Sequence, residues 1–211
     1  MIRFYYVSGS PFSWRVQLTL EEKGLEYEPV LLQASKGEMR TDEHLARSPH
    51  GKVPALTDGD LSLYESTAIV EYLEERYPDN PVMPSDPAAR GLTRVEELEC
   101  LLYFFEPMGK LGRQLFFTPE DERDEKVVAE ARSEVSAELA RLESRASRRG
   151  GEYLMGSTLT RADLTWLPFA EMTVRTSSFP DPAQLPWLGA WLKRMRSRPA
   201  YEASYPPHWR A

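Results

Sequence analysis

From Ile2 to Val7 the chain is almost wholly apolar or aromatic, with the length and composition of a buried strand. Ser10-Pro11 follows, pairing a residue that caps helices with one suited to their first position. Val16, Leu18 and Leu20 then line a helix from Phe12 to Lys23, which Gly24 stops. Tyr27 to Leu32 reads as a second strand, and a short helix is predicted at about Asp42 to Ala46. Two further runs, Val53 to Thr57 and Leu61 to Leu63, flank Asp58-Gly59-Asp60 in the pattern of a hairpin. Ile69, Val70, Leu73 and Tyr77 lie close to one face of a helix from Glu65 to Arg76. The order βαβ, short helix, ββα predicts a mixed sheet with helices packed against it.

The pattern changes after Tyr77. Prolines at 78, 81, 84 and 87 are incompatible with a continuous helix and mark a linker. Leu92, Val95, Leu98, Leu102 and Phe105 recur at helical spacing across residues 88–117, and Val127, Ala131, Val135, Leu139 and Leu142 do so across 120–148. Both stretches predict long amphipathic helices, the second ended by Gly150-Gly151. Most large apolar groups from Tyr103 to Phe117 read as core, with a subset near Met108 to Phe117 as candidate lining of a substrate pocket. Thr160 and Asp163 have the spacing of a capping box, before an apolar helix that Pro168 is expected to bend or interrupt. A last helix is predicted from about Leu185 to Ser197, followed by a tail containing prolines and aromatics. The expectation is an α/β unit at 1–77, a linker at 78–87 and an all-α unit at 88–211.

Composition narrows the function. The 211 residues, 41% hydrophobic, sustain one large domain or two small ones. With 33 acidic against 26 basic side chains the net charge is -7, which argues against a nucleic-acid partner. Cys100 is the only cysteine, so neither an intramolecular disulfide nor a cysteine-rich metal site can form. His44, His50 and His208 lack metal-ligand spacing, and no metal is expected. No apolar run approaches a membrane span and the start of the chain does not read as a signal peptide, so the expectation is a cytoplasmic protein without a membrane partner.

Three ordered strings add more than pattern. They are Tyr5-Tyr6-Val7-Ser8-Gly9-Ser10-Pro11-Phe12-Ser13-Trp14-Arg15-Val16, Ser48-Pro49-His50-Gly51-Lys52-Val53-Pro54-Ala55-Leu56, and Leu63-Tyr64-Glu65-Ser66-Thr67-Ala68-Ile69. Together they resemble the soluble glutathione transferases, and Gly156 to Asp163 is similar to that family's second domain. The resemblance implies a thioredoxin-like N-terminal domain, an all-helical C-terminal domain, and a homodimer. It also implies glutathione as cosubstrate and a small hydrophobic electrophile as acceptor, the chemistry of detoxification. The stretch from Ser10 to Arg15 is similar to both the serine-containing zeta class and the cysteine-containing omega class, with Pro11 and Phe12 where the zeta run has serine and cysteine. Conjugation is the implied activity. The alternatives are glutathione-dependent cis-trans isomerisation of the maleylacetoacetate isomerase type, and a non-enzymatic interaction role on the same fold.

The resemblance also assigns residues. Ser10 stands where the zeta class has its catalytic serine, so its hydroxyl is expected to donate to the glutathione sulfur and favour the thiolate; by pattern alone it is an N-cap. Ser13, one helical turn on, is its rival and a further expected glutathione contact, with Tyr5 and Tyr6 behind it. With no cysteine at Ser10 or Ser13, thiol-disulfide exchange by the protein itself is not expected. Val53-Pro54 is implied to contain a cis peptide bond that presents the Val53 backbone to the cysteinyl part of glutathione; Pro54 otherwise reads as the start of a strand. Lys52, otherwise a surface charge, is implied to meet the glycine carboxylate. Glu65 and Ser66 begin the third predicted helix, where the Ser66 hydroxyl and free amides receive the γ-glutamyl carboxylate and Glu65 accepts from its ammonium group. As a bare pair they read as a cap and a surface residue. Arg113 reads either as a guide for an anionic substrate or as a solvated surface group. Thr160 and Asp163 read as structural and Cys100 as a core thiol.

Overall fold

Strand β1 (Ile2–Tyr6) pairs in parallel with β2 (Tyr27–Leu31) and antiparallel with β3 (Ala55–Asp58), which pairs antiparallel with β4 (Leu61–Tyr64). The sheet order is β2-β1-β3-β4. The computed structural model describes residues 1–181 and 183–210, and the chain divides into two units, Met1–Val82 with the stretch from Arg198, and Met83–Ser197. Register settles what meets in the first unit. Tyr5 lies opposite Ala55, and Ala55 opposite Tyr64. The end of β1, the start of β3 and the end of β4 therefore share one end of the sheet.

Helices α1 (Pro11–Glu22), α2 (Asp42–Arg47) and α3 (Ser66–Arg76) complete this part of the unit. Alternation along β1 puts Ile2 and Phe4 on one face, where they are buried with Val16 and Leu20 of α1, Leu56 of β3, and Ile69 and Leu73 of α3. Each such side chain contributes about 1.5–3 kcal/mol on burial. The buried Lys23 Nζ, 3.0 Å from Glu74 Oε2, also donates to the carbonyls of Asp79 and Asn80. This ties the end of α1 to the proline-rich stretch.

Asp58, at the hairpin, accepts hydrogen bonds from the Tyr72 hydroxyl at 2.9 Å and from that of Tyr77. The Tyr77 hydrogen bond holds the Asp58 carboxyl below its ordinary 3.8, and desolvation followed by that same bond pushes the Tyr77 phenol up to about 12. The folded carboxyl binds its proton more weakly than the unfolded one, so its stabilisation is complete above the unfolded pKa and lost as pH falls through the lower folded value. The folded phenol binds its proton more tightly, so its stabilisation is complete below 10.0 and lost as pH rises towards about 12. Urea midpoints followed against pH should fall on both limbs for the wild type and less on both for Asp58→Asn; parallel profiles would refute the coupling.

The second unit contains α4 (Pro87–Leu98), α5 (Phe105–Gly112), α6 (Glu125–Arg149), α7 (Arg161–Arg175) and α8 (Pro186–Arg196). Two π-helical stretches, Glu99–Phe104 and Arg113–Phe117, bracket α5 where one regular helix was expected. In α6 the predicted core positions Ala131, Val135, Leu139 and Leu142 are buried, although Val128 takes the place of Val127. The stripe on α4 inverts the ordinary amphipathic expectation. Leu92, Val95 and Leu98, with Leu102 of the π-helical stretch that follows, are 54%, 51%, 46% and 58% exposed, whereas Thr93, Glu96 and Glu97 are buried. Ion pairing is the reason: Glu96 meets Arg145 at 2.8 Å and Arg149 at 2.6 Å, and Glu97 meets Arg161 at 2.7 Å.

Two expectations about the C-terminal half need correction. Pro168 does not interrupt α7, since burial of every residue from Arg161 to Glu171 offsets the missing backbone donor. The stretch after α8 does not stay with the helical unit as the 88–211 boundary implied. Its short helix α9 (Pro199–Ser204) and the 3₁₀ turn Pro207–Trp209 group with the first unit through aromatic packing on Trp14. Among the described residues, no helix is long and apolar enough to cross a membrane, and no cluster of three or more His, Cys, Asp or Glu side chains is placed to hold a metal ion.

Candidate active site

Three chain segments emerge at the end of the sheet fixed by the Tyr5-Ala55-Tyr64 register. The first is the turn after β1. Ser10 N–H donates to the Val7 carbonyl at 3.2 Å, and Ser10 then caps α1, its Oγ accepting from Ser13 N–H at 3.3 Å. Ser10 is half-buried, and its hydroxyl keeps a donor that this cap does not use. Ser13 is buried and its Oγ has no hydrogen-bond partner. Of the two hydroxyl-bearing residues, Ser10 is the more accessible. Tyr5 is buried beneath the Arg47 guanidinium, 4.3 Å from its ring centre, while Tyr6 is half-buried with its phenol pushed up by desolvation.

The second segment precedes β3. The Val53-Pro54 peptide is cis, as expected. The Lys52 side chain is exposed, but its backbone is held on both sides: its N–H donates to Ser48 Oγ at 3.3 Å and its carbonyl lies 3.0 Å from Nε2 of the buried His44. Gly51, at φ +59°, has no room for a side chain, since a Cβ would sit 2.8 Å from the Met39 carbonyl.

The third segment joins β4 to α3. Glu65 has φ +67°, a left-handed value that a non-glycine residue adopts at a cost of about 1–3 kcal/mol. Helix α3 starts there with no side-chain cap, so its first-turn amides are open to an anion. Ser66 is buried and accepts from Arg15 Nη1 at 3.2 Å, and Thr67 Oγ1 accepts from the same nitrogen at 3.0 Å. A buried guanidinium therefore backs the start of α3 and links it to α1.

The geometry brings together Ser10, Val53, Pro54, Glu65 and Ser66, with Lys52 beside them. Pattern reading gave no role to Arg15 or to His44; for Arg15 the available signal was a charged residue between apolar helix neighbours, Trp14 and Val16. Arg113, Thr160, Asp163 and Cys100 belong to the helical unit. Burial pushes the Asp163 carboxyl up, against the hydrogen bonds it accepts from Leu154 N–H, Thr160 N–H and Trp191 Nε1. That arrangement is structural. Cys100 is buried. Of the candidate pocket residues, Met108 and Leu111 are core, whereas Phe116 and Phe117 are exposed.

Comparison with known proteins identifies the family. Residues 4–81 match the family model described as glutathione S-transferase, N-terminal domain, and residues 106–199 that described as glutathione S-transferase, C-terminal domain. The chain is 36% identical over 183 residues to glutathione S-transferase F10 of Arabidopsis thaliana, covering 82% of each chain. It is 29% identical over 214 residues to glutathione S-transferase A of Pleuronectes platessa, covering 96% of this chain and 90% of the relative. The crystal structure of a glutathione S-transferase from the Antarctic clam Laternula elliptica superposes with a TM-score of 0.87 at 30% identity, covering 99% of this chain and 94% of that one.

Proposed function

The chain belongs to the glutathione S-transferase family, and from that premise we propose that it conjugates reduced glutathione to a small hydrophobic electrophile through a thiolate stabilised by Ser10. The observation that carries the reading is the meeting of the Ser10 turn, the cis Val53-Pro54 bond and the uncapped α3 N-terminus at one end of the sheet. Glutathione offers the matching groups in order. Its γ-glutamyl carboxylate is assigned to the α3 amides and Ser66, backed by Arg15, and its ammonium to Glu65. The cysteinyl backbone pairs with Val53, the glycine carboxylate with Lys52, and the sulfur with the Ser10 hydroxyl.

A serine hydroxyl is too weak a base to take the thiol proton near neutral pH. Its contribution is a donor hydrogen bond to the sulfur after the proton has left, aided by the positive end of α1. With the thiol proton passed to water, the sulfur lone pair forms the C–S bond as the acceptor's leaving group departs with its electron pair or, at a conjugated double bond, as the π pair shifts onto the acceptor and takes a proton from water; the pre-set geometry supplies much of the rate. Calorimetry should give one glutathione per chain, with affinity falling about tenfold in Ser66→Ala and Glu65→Ala as charge-assisted hydrogen bonds are lost. Equal affinity in all three proteins would overturn the placement.

The exposed stripe of α4 supports a homodimer. Leu92, Val95, Leu98 and Leu102 form one apolar face of a kind that monomers rarely leave uncovered. Light scattering should give close to twice 24.2 kDa for the wild type and close to 24.2 kDa for Leu98→Glu. A wild-type mass of one chain at micromolar concentration would refute the assignment.

A further inference from the structure

The β-turn that carries Ser10 is gripped from outside. It is closed by the Ser10 N–H donating to the Val7 carbonyl, with Ser8 and Gly9 as its central residues. Each central residue touches the end of the chain. Ser8 Oγ lies 3.0 Å from Nδ1 of His208. Gly9, at φ +84°, packs so closely that a Cβ would come within 3.1 Å of the His208 ring and 3.2 Å of Trp209.

The gripping segment is itself anchored to α1, the helix that Ser10 caps. Arg198 makes two hydrogen bonds to the Glu22 carboxylate, at 2.5 and 2.6 Å. Trp14 Nε1 donates to Ser204 Oγ at 2.8 Å. Tyr201, Tyr205 and Trp209, spaced four residues apart, set their rings 5.8, 5.6 and 5.5 Å from that of Trp14. A cleft of only about 90 Å³ remains between turn and tail, bordered by Ser8, Ser10, Trp14, Ser204 and Tyr205.

We infer that the C-terminal segment from Arg198 is a positioning strap for the thiol-activating serine, with His208 and Trp209 as the residues that fix the turn. The inference rests on the role proposed above for Ser10. A left-handed glycine beside the serine is the freest point of the turn, and contacts on Ser8 and Gly9 remove that freedom. Hydrogen bonds weaken steeply as they lose alignment, so a loosened turn stabilises the thiolate less without abolishing glutathione binding.

The test uses the full chain carrying His208→Ala, Ser8→Ala, both together, or His208→Asn, and a chain ending at Pro206, with Ser10→Ala as reference. Thiolate absorbance of bound glutathione is titrated against pH, and kcat and KM for glutathione are measured alongside melting temperature. His208→Ala and Ser8→Ala should each raise the thiolate midpoint and lower kcat below it by about threefold to tenfold, with KM for glutathione little changed. The double variant should do no more than either single one, because both remove one hydrogen bond. His208→Asn should recover part of the loss, and the shortened chain should lose about tenfold or more. If Ser10→Ala shifts the titration while Ser8→Ala and His208→Ala titrate and turn over as wild type, the strap is refuted and the serine reading stands. If Ser10→Ala itself leaves the titration unchanged, the serine reading fails and the strap's role fails with it. Should the shortened chain not fold, the two exposed point variants decide the matter.

Discussion

Ser10→Ala should lower conjugation of a reactive electrophile by about tenfold to hundredfold near neutral pH, the range of a lost charge-assisted hydrogen bond of about 1.5–3 kcal/mol. The Oγ accepts from Ser13 N–H at 3.3 Å, and in the proposed mechanism its hydroxyl also donates a hydrogen bond to the sulfur. Alanine removes both. Loss of the cap costs about 1 kcal/mol of stability, which melting temperature reports separately. Loss of the donor raises the pKa of the bound thiol by about one to two units, since each unit corresponds to 1.36 kcal/mol. The rate deficit is then largest below the wild-type midpoint and shrinks as pH rises above the variant's own. A deficit independent of pH would instead indicate lost positioning of the electrophile. Ser13→Ala is the comparison at the same helix start, and its buried hydroxyl predicts a titration close to wild type. Superimposable profiles for wild type and Ser10→Ala, with a shifted Ser13→Ala, would transfer the role to Ser13.

Glu97→Ala should be the most damaging single change to the stability of the helical unit, by about 3–5 kcal/mol. Both members of the Glu97–Arg161 pair are buried, with Nη2 to Oε2 at 2.7 Å, and Thr165 Oγ1 donates to the other carboxylate oxygen at 3.3 Å. Alanine strips a buried guanidinium of its carboxylate and a hydroxyl of its acceptor. The cost comes mainly from the charge left behind, so replacing both partners by methionine should cost far less than Glu97→Ala alone. Urea unfolding followed by helical circular dichroism measures both. A Glu97→Ala loss within 1 kcal/mol of wild type would show that relaxation or water relieves the charge, contrary to the burial of the pair.

The N-terminal unit was legible because its signals are local. Ser10-Pro11 caps and starts a helix, Gly59 supplies the left-handed residue of the hairpin turn, and alternation in β1 selects the buried face. The motif strings carried the candidate site for the same reason, each site residue lying at the start or end of an element. Arg15 was not legible as a bridge to Ser66, since 51 residues separate them and only the packing of α1 beside α3 makes them neighbours.

The helical unit was legible in its lengths and misleading in its faces. Periodicity locates a helix and its stripes but does not state which stripe turns inward. On α4 the inward side is the one with Glu96 and Glu97, where arginines on α6 and α7 neutralise them, and the leucine stripe is left on the outer face of the chain. Pro168 shows the same priority of packing over local propensity.

The sequence by itself determined the element order, the caps and turns, the family, and the residue types available for glutathione, because each depends on neighbours within a few positions or on an ordered motif. Tertiary structure alone decided which face of α4 is covered, that Arg15 backs Ser66, and that His208 and Trp209 close on Ser8 and Gly9. These contacts join residues 49 to 200 positions apart, and their energies exist only once other elements have brought the partners together.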